Sequence, residues 1–284
     1  MSRNRLGTKS VAALRALLTA RDQAILRTVF DHKFLTSRQL CALHFTDHAS
    51  DGSATRACNR VLNRLQHHKL LYRLERPVGG HGGGSSSFVW ALDAAGDRFM
   101  RAEAGKQSRG RTYEPTTMFL IHTLAIVDVR IMLQRLAREG QIEVLKVVTE
   151  PHNWRTSLSR TGTAQIVKPD LHALTASGDY EDAWFIEVDR GTESMPTLLK
   201  KCLIYQRHYE SGYEQDAHGL FPLVVWLIGS ERRRQRLAKD ITADKRLNAE
   251  LFRIIAAEEL PALIADPTST AAPGAKPEPK GGIT

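Results

Sequence analysis

Val167-Lys168-Pro169-Asp170-Leu171-His172, then Trp184-Phe185-Ile186-Glu187-Val188-Asp189-Arg190-Gly191-Thr192-Glu193, then Leu198-Leu199-Lys200-Lys201 and Tyr205 form the stretch that decides the second half of this chain. Two apolar strands carry carboxylates inside them, and a lysine-bearing helix follows. Carboxylates seldom sit within a buried strand unless they are paired, hydrogen-bonded or hold a metal. Residues two apart on a strand share a face, so Glu187 and Asp189 project together, beside Phe185. A turn at Ser177-Gly178-Asp179 brings the strand of Asp170 alongside. Three converging carboxylates, Asp170, Glu187 and Asp189, suit a hard cation such as Mg²⁺ or Mn²⁺. Such a metal would activate water and neutralise charge on a scissile phosphate, and Lys200 would stabilise the charge that develops there. Asp170, Glu187, Asp189 and Lys200 are therefore the candidate catalytic set.

Outward from this stretch, residues 116–139 form the strongest helix of the chain. One apolar stripe holds Leu120, Leu124, Val127 and Ile131, and a second holds Met118, His122, Ala125, Val129, Met132 and Leu136. His122 and Asp128 read as satisfied core polar groups. A strand over 141–150 and a polar loop over 151–165 precede the carboxylate strands. A helix starts near Pro196, a favourable first-turn residue, and runs to about Tyr209. Residues 221–229 are wholly apolar, as in a central strand covered on both faces. A further helix opens at Glu231 with Arg232, Arg233, Arg234 and Arg236. The order α-β-β-β-α-β-α predicts an α/β sandwich with a mixed sheet.

Towards the N-terminus, residues 1–19 read as a loose basic arm. A helix from Arg21 places Ile25, Val29 and Phe30 on one face, with Thr19 as N-cap and Asp22 in its first turn. A second short helix lies over 35–45, capped by Thr36. A third runs over 53–69, with Ala57, Val61, Leu62 and Leu65 as its apolar stripe. Strands at 70–76 and 88–92 flank a glycine-rich tip, residues 77–87. No Gly-Lys-Ser/Thr follows that tip, so it is not a phosphate-binding loop. Three helices and a hairpin, in that order, predict a winged helix-turn-helix whose third helix enters the major groove. Arg and Lys contact phosphates, and Arg and Asn read base edges. The candidate DNA contacts are Arg38, Arg56, Asn59, Arg60, Asn63, Arg64, Arg73 and Arg76. The alternative is a three-helix protein-interaction module with a solvated basic face. A short helix over 93–104, a basic linker at 106–115 and a Pro-, Ala- and Gly-rich tail at 266–284 complete the layout: arm 1–19, first domain 20–105, second domain 116–265.

The 284 residues carry a formal net charge of +9, which favours a polyanionic partner. Three cysteines, Cys41, Cys58 and Cys202, are too sparse for a disulfide framework and fit a reducing compartment. No apolar leader is evident, and the longest apolar run is about half of a membrane span, so a cytoplasmic protein without membrane contact is expected. The spacing of Cys41, His44, His48 and Cys58 matches no common zinc module, and no local signature of a Ser or Cys nucleophile is present.

Two resemblances follow from these residues. Pro169-Asp170 and Glu187-x-Asp189, with the α-β-β-β-α-β order, resemble the core of the PD-(D/E)xK nuclease fold. Asp189 stands where those nucleases carry their lysine, so the resemblance implies a lysine supplied by the following helix, Lys200 or Lys201. Asp128 and Glu114 are the candidates for the helix-borne acid that many members add. Over about residues 20–230, the run Leu35-Thr36 and Gln39-Leu40, Leu120-x-His122-Thr123-Leu124-Ala125, Lys168-Pro169-Asp170, Glu187-Val188-Asp189-Arg190-Gly191-Thr192, Lys200 and Tyr205 resembles the replication-relaxation family of bacterial plasmids and mobile elements. That resemblance implies double-stranded DNA binding in replication or its control, with no cofactor required for binding. The expected architecture is an N-terminal winged helix-turn-helix followed by an α/β sandwich resembling the PD-(D/E)xK fold. In the leading expectation the second domain is non-catalytic, and Glu187, Asp189, Arg190 and Lys200 form a buried ion-pair network. The rivals are an Mg²⁺- or Mn²⁺-dependent endonuclease or nickase, and a scaffold that dimerises or recruits replication or mobilisation proteins. A homodimer is expected, because winged helices commonly read two-fold sites.

Overall fold

The computed structural model describes residues 8–74, 88–105, 115–158, 162 and 164–266. The glycine-rich tip, Arg76, Glu114, most of the expected linker and nearly all of the C-terminal tail lie outside the described residues. The chain is a mixed α+β protein of two compact units, residues 1–131 and 132–284.

In the first unit, α1 (Thr8–Leu17) occupies much of the segment expected to be a loose arm. Its Leu14 packs on the core, and Arg15 pairs with Glu103 at 2.5 Å, so tertiary contact orders a weakly amphipathic sequence. Helix α2 (Ala20–His32) begins in a reciprocal capping box between Thr19 and Asp22. Strand β1 (Leu35–Thr36) follows, then α3 (Ser37–His44), whose own box joins Thr36 and Gln39. Helix α4 (Asp51–His67) is capped by Ser50. The strands β2 (Leu71–Arg73) and β3 (Val89–Leu92) complete a small antiparallel sheet in the order β1-β3-β2, with Leu35 opposite Trp90. The residues read as the start of the second helix thus supply a third strand to the hairpin.

Helix α5 (Ala94–Glu103) packs so closely that a side chain at Gly96 would meet the carbonyl oxygen of Leu70. Ile25, Leu26, Val29, Leu40, Leu62, Leu65, Trp90 and Phe99 form the core. Helix α6 (Thr117–Arg138) spans the division between the units. Its N-terminal half lays Leu120 and Leu124 on Phe34, Val89 and Ala91, and Val127 joins the main core. By length and composition α6 is the one helix among the described residues able to cross a membrane, and a third of its apolar window is buried in the fold. Gln39 Nε2 donates to Asp128 at 2.7 Å and to the Leu124 carbonyl at 2.8 Å, so Asp128 serves the first unit.

The second unit contains β4 (Glu143–Thr149), the hairpin β5 (Arg155–Leu158) and β6 (Ala164–Val167), β7 (Leu171–Ser177), β8 (Tyr180–Asp189), α7 (Met195–Glu210), α8 (Tyr213–His218), β9 (Leu223–Ile228), α9 (Glu231–Ala243), β10 (Phe252–Ile255) and α10 (Leu260–Ala265). A five-stranded sheet runs β10-β9-β8-β7-β4. The β4, β7 and β8 strands pair antiparallel, and β8, β9 and β10 pair parallel, so α7 and α9 carry the two crossovers. Phe185, Leu198, Cys202, Val224, Trp226, Leu237 and Ile241 fill the space between sheet and helices. The segment expected to be a polar loop instead holds the β5–β6 hairpin as a separate two-stranded sheet.

Candidate nucleic-acid interface and carboxylate site

Helix α4 is divided by its own periodicity. Ala54, Cys58, Leu62 and Leu65 are buried, while Arg56, Asn59, Arg60 and Asn63 are exposed as a polar row along the other side. His67, His68 and Lys69 extend the exposed basic character past its C-terminus, a feature the sequence pattern had not singled out. Arg38 is exposed in the first turn of α3. Arg73 is exposed on β2, its guanidinium 4.0 Å from the Phe88 ring centroid.

Arg64 differs from its neighbours. Its guanidinium meets Asp22 Oδ1 at 2.5 Å, and that carboxylate is 1% exposed. The other oxygen, Asp22 Oδ2, accepts the Thr19 N–H in the α2 capping box. Arg64 therefore neutralises a buried acid and ties α4 to α2. Being half exposed itself, it still borders the polar row.

The carboxylate site is built by strand register. Leu171 pairs with Ile186, so Asp170 falls opposite Glu187 at the end of the β7–β8 ladder. The Val188 N–H donates to Asp170 Oδ2 at 2.8 Å. Glu187 is 2% exposed and faces α7, where Tyr205 Oη donates to its Oε1 at 2.6 Å and Lys201 Nζ lies 3.5 Å from Oε2. Burial, followed by the charge of Asp170, pushes the Glu187 carboxyl up to about 8, against the opposing pull of Lys201 and Tyr205. Burial would depress the Lys201 ammonium, but Glu187, Glu193 and Asp170 hold it above its ordinary value. Burial and Glu187 likewise raise Tyr205 well above the usual phenol range.

Asp189 shares the face of Glu187 but belongs to another partner. Arg233 of α9 closes on it through Nε and, at 3.1 Å, through its second nitrogen, and also donates to the Glu193 carbonyl at 2.5 Å. The Gly191 N–H donates to the same carboxylate. With both Asp189 oxygens engaged, the expected trio of metal ligands is not assembled. Among the described residues no three His, Cys, Asp or Glu side chains gather closely enough to hold a metal ion. Asp170 and Glu187 remain as a pair.

Lys200 is exposed, and the expected role at Glu187 falls to Lys201. The α7 phase explains this: Leu198, Lys201, Cys202 and Tyr205 lie at i, i+3, i+4 and i+7 on the face towards the sheet, and Lys200 is turned away from it. That spacing was available in the sequence. Arg190 is exposed as well, so the cations that meet the carboxyls of this face are Lys201 at Glu187 and Arg233 at Asp189, not the set expected from sequence proximity.

A second polar cluster, with no local sequence signature, lies under the β5–β6 hairpin. His208 is fully buried, its Nδ1 3.0 Å from Ser157 Oγ and its Nε2 3.0 Å from Glu214 Oε1. Arg155 reaches Glu214 at 3.2 Å and His172 Nδ1 at 3.0 Å. Burial, then the Arg155 charge, lowers His172 to about 4, so its imidazole is neutral at physiological pH. Both His208 nitrogens are engaged and the ring is sealed from solvent. This serine–histidine–glutamate chain therefore fastens β5 to α7 and α8 and presents no nucleophile to a substrate. The cysteines and histidines around α3 do not gather into one site: Cys58 lies beside Cys41 and points its Sγ to the Ser37 carbonyl, while His44 Nε2 meets Thr28 Oγ1 at 3.0 Å and His48 stacks on Phe45.

A family model described as replication-relaxation matches residues 26–224 of the chain. The matched span runs from within α2 to the start of β9 and so includes the α4 row and Asp170, Glu187 and Lys201. Comparison with curated proteins finds no match. Comparison with solved structures finds none either.

Proposed function

The chain belongs to the replication-relaxation family, and we propose on that premise that it binds double-stranded DNA through a winged helix and acts in replication or transcription control on a bacterial plasmid or mobile element. The observation that carries this reading is the exposed row Arg56, Asn59, Arg60 and Asn63 on α4, opposite a wholly apolar buried face. The side chains are those that contact phosphates and read base edges, and α4 occupies the position of a recognition helix after α2, β1 and α3. The three-stranded β1-β3-β2 sheet with exposed Arg73 supports a wing beside the groove. Selecting a site from random duplexes, and then measuring affinity of the full chain against salt, tests the reading. We expect affinity to fall steeply as salt rises, and Asn59→Ala to relax base preference. Duplex affinity that is absent or indifferent to salt sinks it.

In the same reading the second unit is nuclease-like in order, β4-β7-β8-α7-β9 with α6 before it in the chain, and non-catalytic. Arg233 occupies Asp189, and Lys201 with a proton-retaining Glu187 closes the remaining pair. One specific observation favours the rival reading of a metal-dependent endonuclease: Asp170, Glu187 and Lys201 share one end of the sheet, two acids and a lysine from the expected elements. Incubation of the protein with supercoiled plasmid and Mn²⁺ separates the two. Nicking by the wild type that Asp170→Ala abolishes establishes the nuclease, and an intact plasmid with both proteins retires it for that substrate.

A further inference from the structure

The β5–β6 hairpin has two unlike faces. Ser157 and Val167 are buried and Arg155 nearly so, fastened through His208, Glu214 and His172. The outer face carries Leu158 and Ile166, 65% and 44% exposed, and beside them Trp154, 40% exposed. Lys168 is exposed, and its Nζ lies 4.1 Å from the centroid of the Trp154 ring.

Trp154 does not hang on a loose loop. The fully buried Asn153 donates to the Pro169 carbonyl at 2.5 Å, and Arg155 donates to the carbonyls of Asn153 and Trp154 at 3.0 and 3.4 Å. The indole N–H reaches Glu150 at 3.2 Å. A large aromatic surface is thus held in water by backbone anchors on both sides, with a cation on its face.

We propose that Trp154 and Lys168 form a stacking platform for an unpaired base of single-stranded DNA, with Lys168 taking the adjoining phosphate. An indole offers a π-face to any base, and stacking of this kind is tolerant of sequence. A base that settles on the ring displaces the Lys168 ammonium from it to the adjoining phosphate, while the anchored backbone keeps the indole in place. A purely apolar partner would need Leu158 and Ile166 without a cation beside them. The ammonium on the ring and the chain's net charge of +9 favour a polyanion instead. Lys168 also stands two residues before Asp170 in the chain. The inference rests on the reading that this chain acts on DNA, but uses a surface separate from α4.

Tryptophan fluorescence reads this site selectively, because Trp90, Trp184 and Trp226 are 2%, 0% and 1% exposed. Titrating the full chain with an oligo-thymidine single strand is expected to quench the emission saturably. Trp154→Leu should remove the quench and weaken binding by about tenfold, the scale of one lost stacked base. Trp154→Phe should restore most of the affinity, and Lys168→Ala should weaken binding and flatten its salt dependence. Arg60→Ala should weaken duplex binding and leave the quench intact, and a wild type that is quenched by the single strand but does not bind duplex speaks against the α4 reading and not against this one. The proposal is overturned if the single strand does not quench the wild type, or if Trp154→Leu binds it as tightly. It is also overturned if Trp154→Leu and Leu158→Ser spare DNA affinity and abolish self-association, which assigns the face to a protein contact.

Discussion

Glu187 concentrates the physical conflict of the second unit in one side chain. It is buried on a strand, faces Asp170, and is met by a phenol and an ammonium that favour its ionised form. Burial and Asp170 prevail, and the carboxyl titrates near 8 in the folded chain against an ordinary value of 4.5. A carboxyl raised on folding contributes stability that is complete below its unfolded value and is lost as pH rises through its folded one. Stability from this group should therefore decline between about pH 4.5 and 8. In Glu187→Gln, urea midpoints should lose that decline while the rest of the pH profile stays. An unchanged profile would show that Lys201 already compensates the charge. Arg64 makes the complementary case. Removing it leaves Asp22 buried and unpaired, so Arg64→Ala should destabilise the first unit by about 1–2 kcal/mol, allowing for solvent screening of the half-exposed guanidinium. Arg60→Ala should leave the melting temperature unchanged, and thermal denaturation of the two variants side by side makes the check. Neither Arg64's partner nor Arg233's was legible in the sequence, because both pairs join residues more than forty apart.

At the scale of elements, short-range signals were legible and pairings between distant segments were not. The capping residues Thr19 and Thr36 marked two helix starts, and the unbroken apolar run at β9 marked a strand with parallel neighbours on both sides. The hairpin β5–β6 escaped notice because its strands are only four residues each, Arg-Thr-Ser-Leu and Ala-Gln-Ile-Val, and neither sequence alternates polar with apolar although their burial does. Its inner face is held by a histidine and a glutamate from elsewhere in the chain. Strand β10 is equally short, and its identity comes from pairing with β9 across the whole of α9. Helix α5 tests a packing rule against a propensity rule. Gly96 lies inside the helix, where alanine would ordinarily be better by about 1 kcal/mol. A Cβ there would sit 2.0 Å from the Leu70 carbonyl oxygen, a backbone atom that cannot step aside. Gly96→Ala should therefore destabilise the first unit by about 2 kcal/mol or more, by forcing α5 away from the chain at Leu70. A denaturation midpoint equal to or above the wild type would mean that α5 shifts without loss.

For the molecule as a whole, the net charge of +9 says little until the cations are sorted by partner. Much of the arginine in the second unit is engaged: Arg155 with Glu214, Arg233 with Asp189, Arg234 with Glu231, Arg236 with Asp240 and Arg246 with Asp244. In the first unit, Arg38, Arg56, Arg60 and Arg73 are exposed on α3, α4 and β2, the elements of the proposed recognition module, with only Arg64 of the α4 set tied to an acid. A polyanion gains from releasing counterions at a cation, and gains less at an arginine whose charge is already met by a carboxylate. The distribution, not the total, should set the salt dependence of duplex binding. Arg60→Ala is expected to reduce the slope of log affinity against log salt by about one. Arg236→Ala, which removes an equal formal charge from a guanidinium already paired with Asp240, should leave the slope where it was. Affinity titrations of these two variants against the wild type at several salt concentrations, on one duplex, decide the matter. Equal changes in slope would place the contact in the diffuse field of the whole chain and remove α4 from its special position.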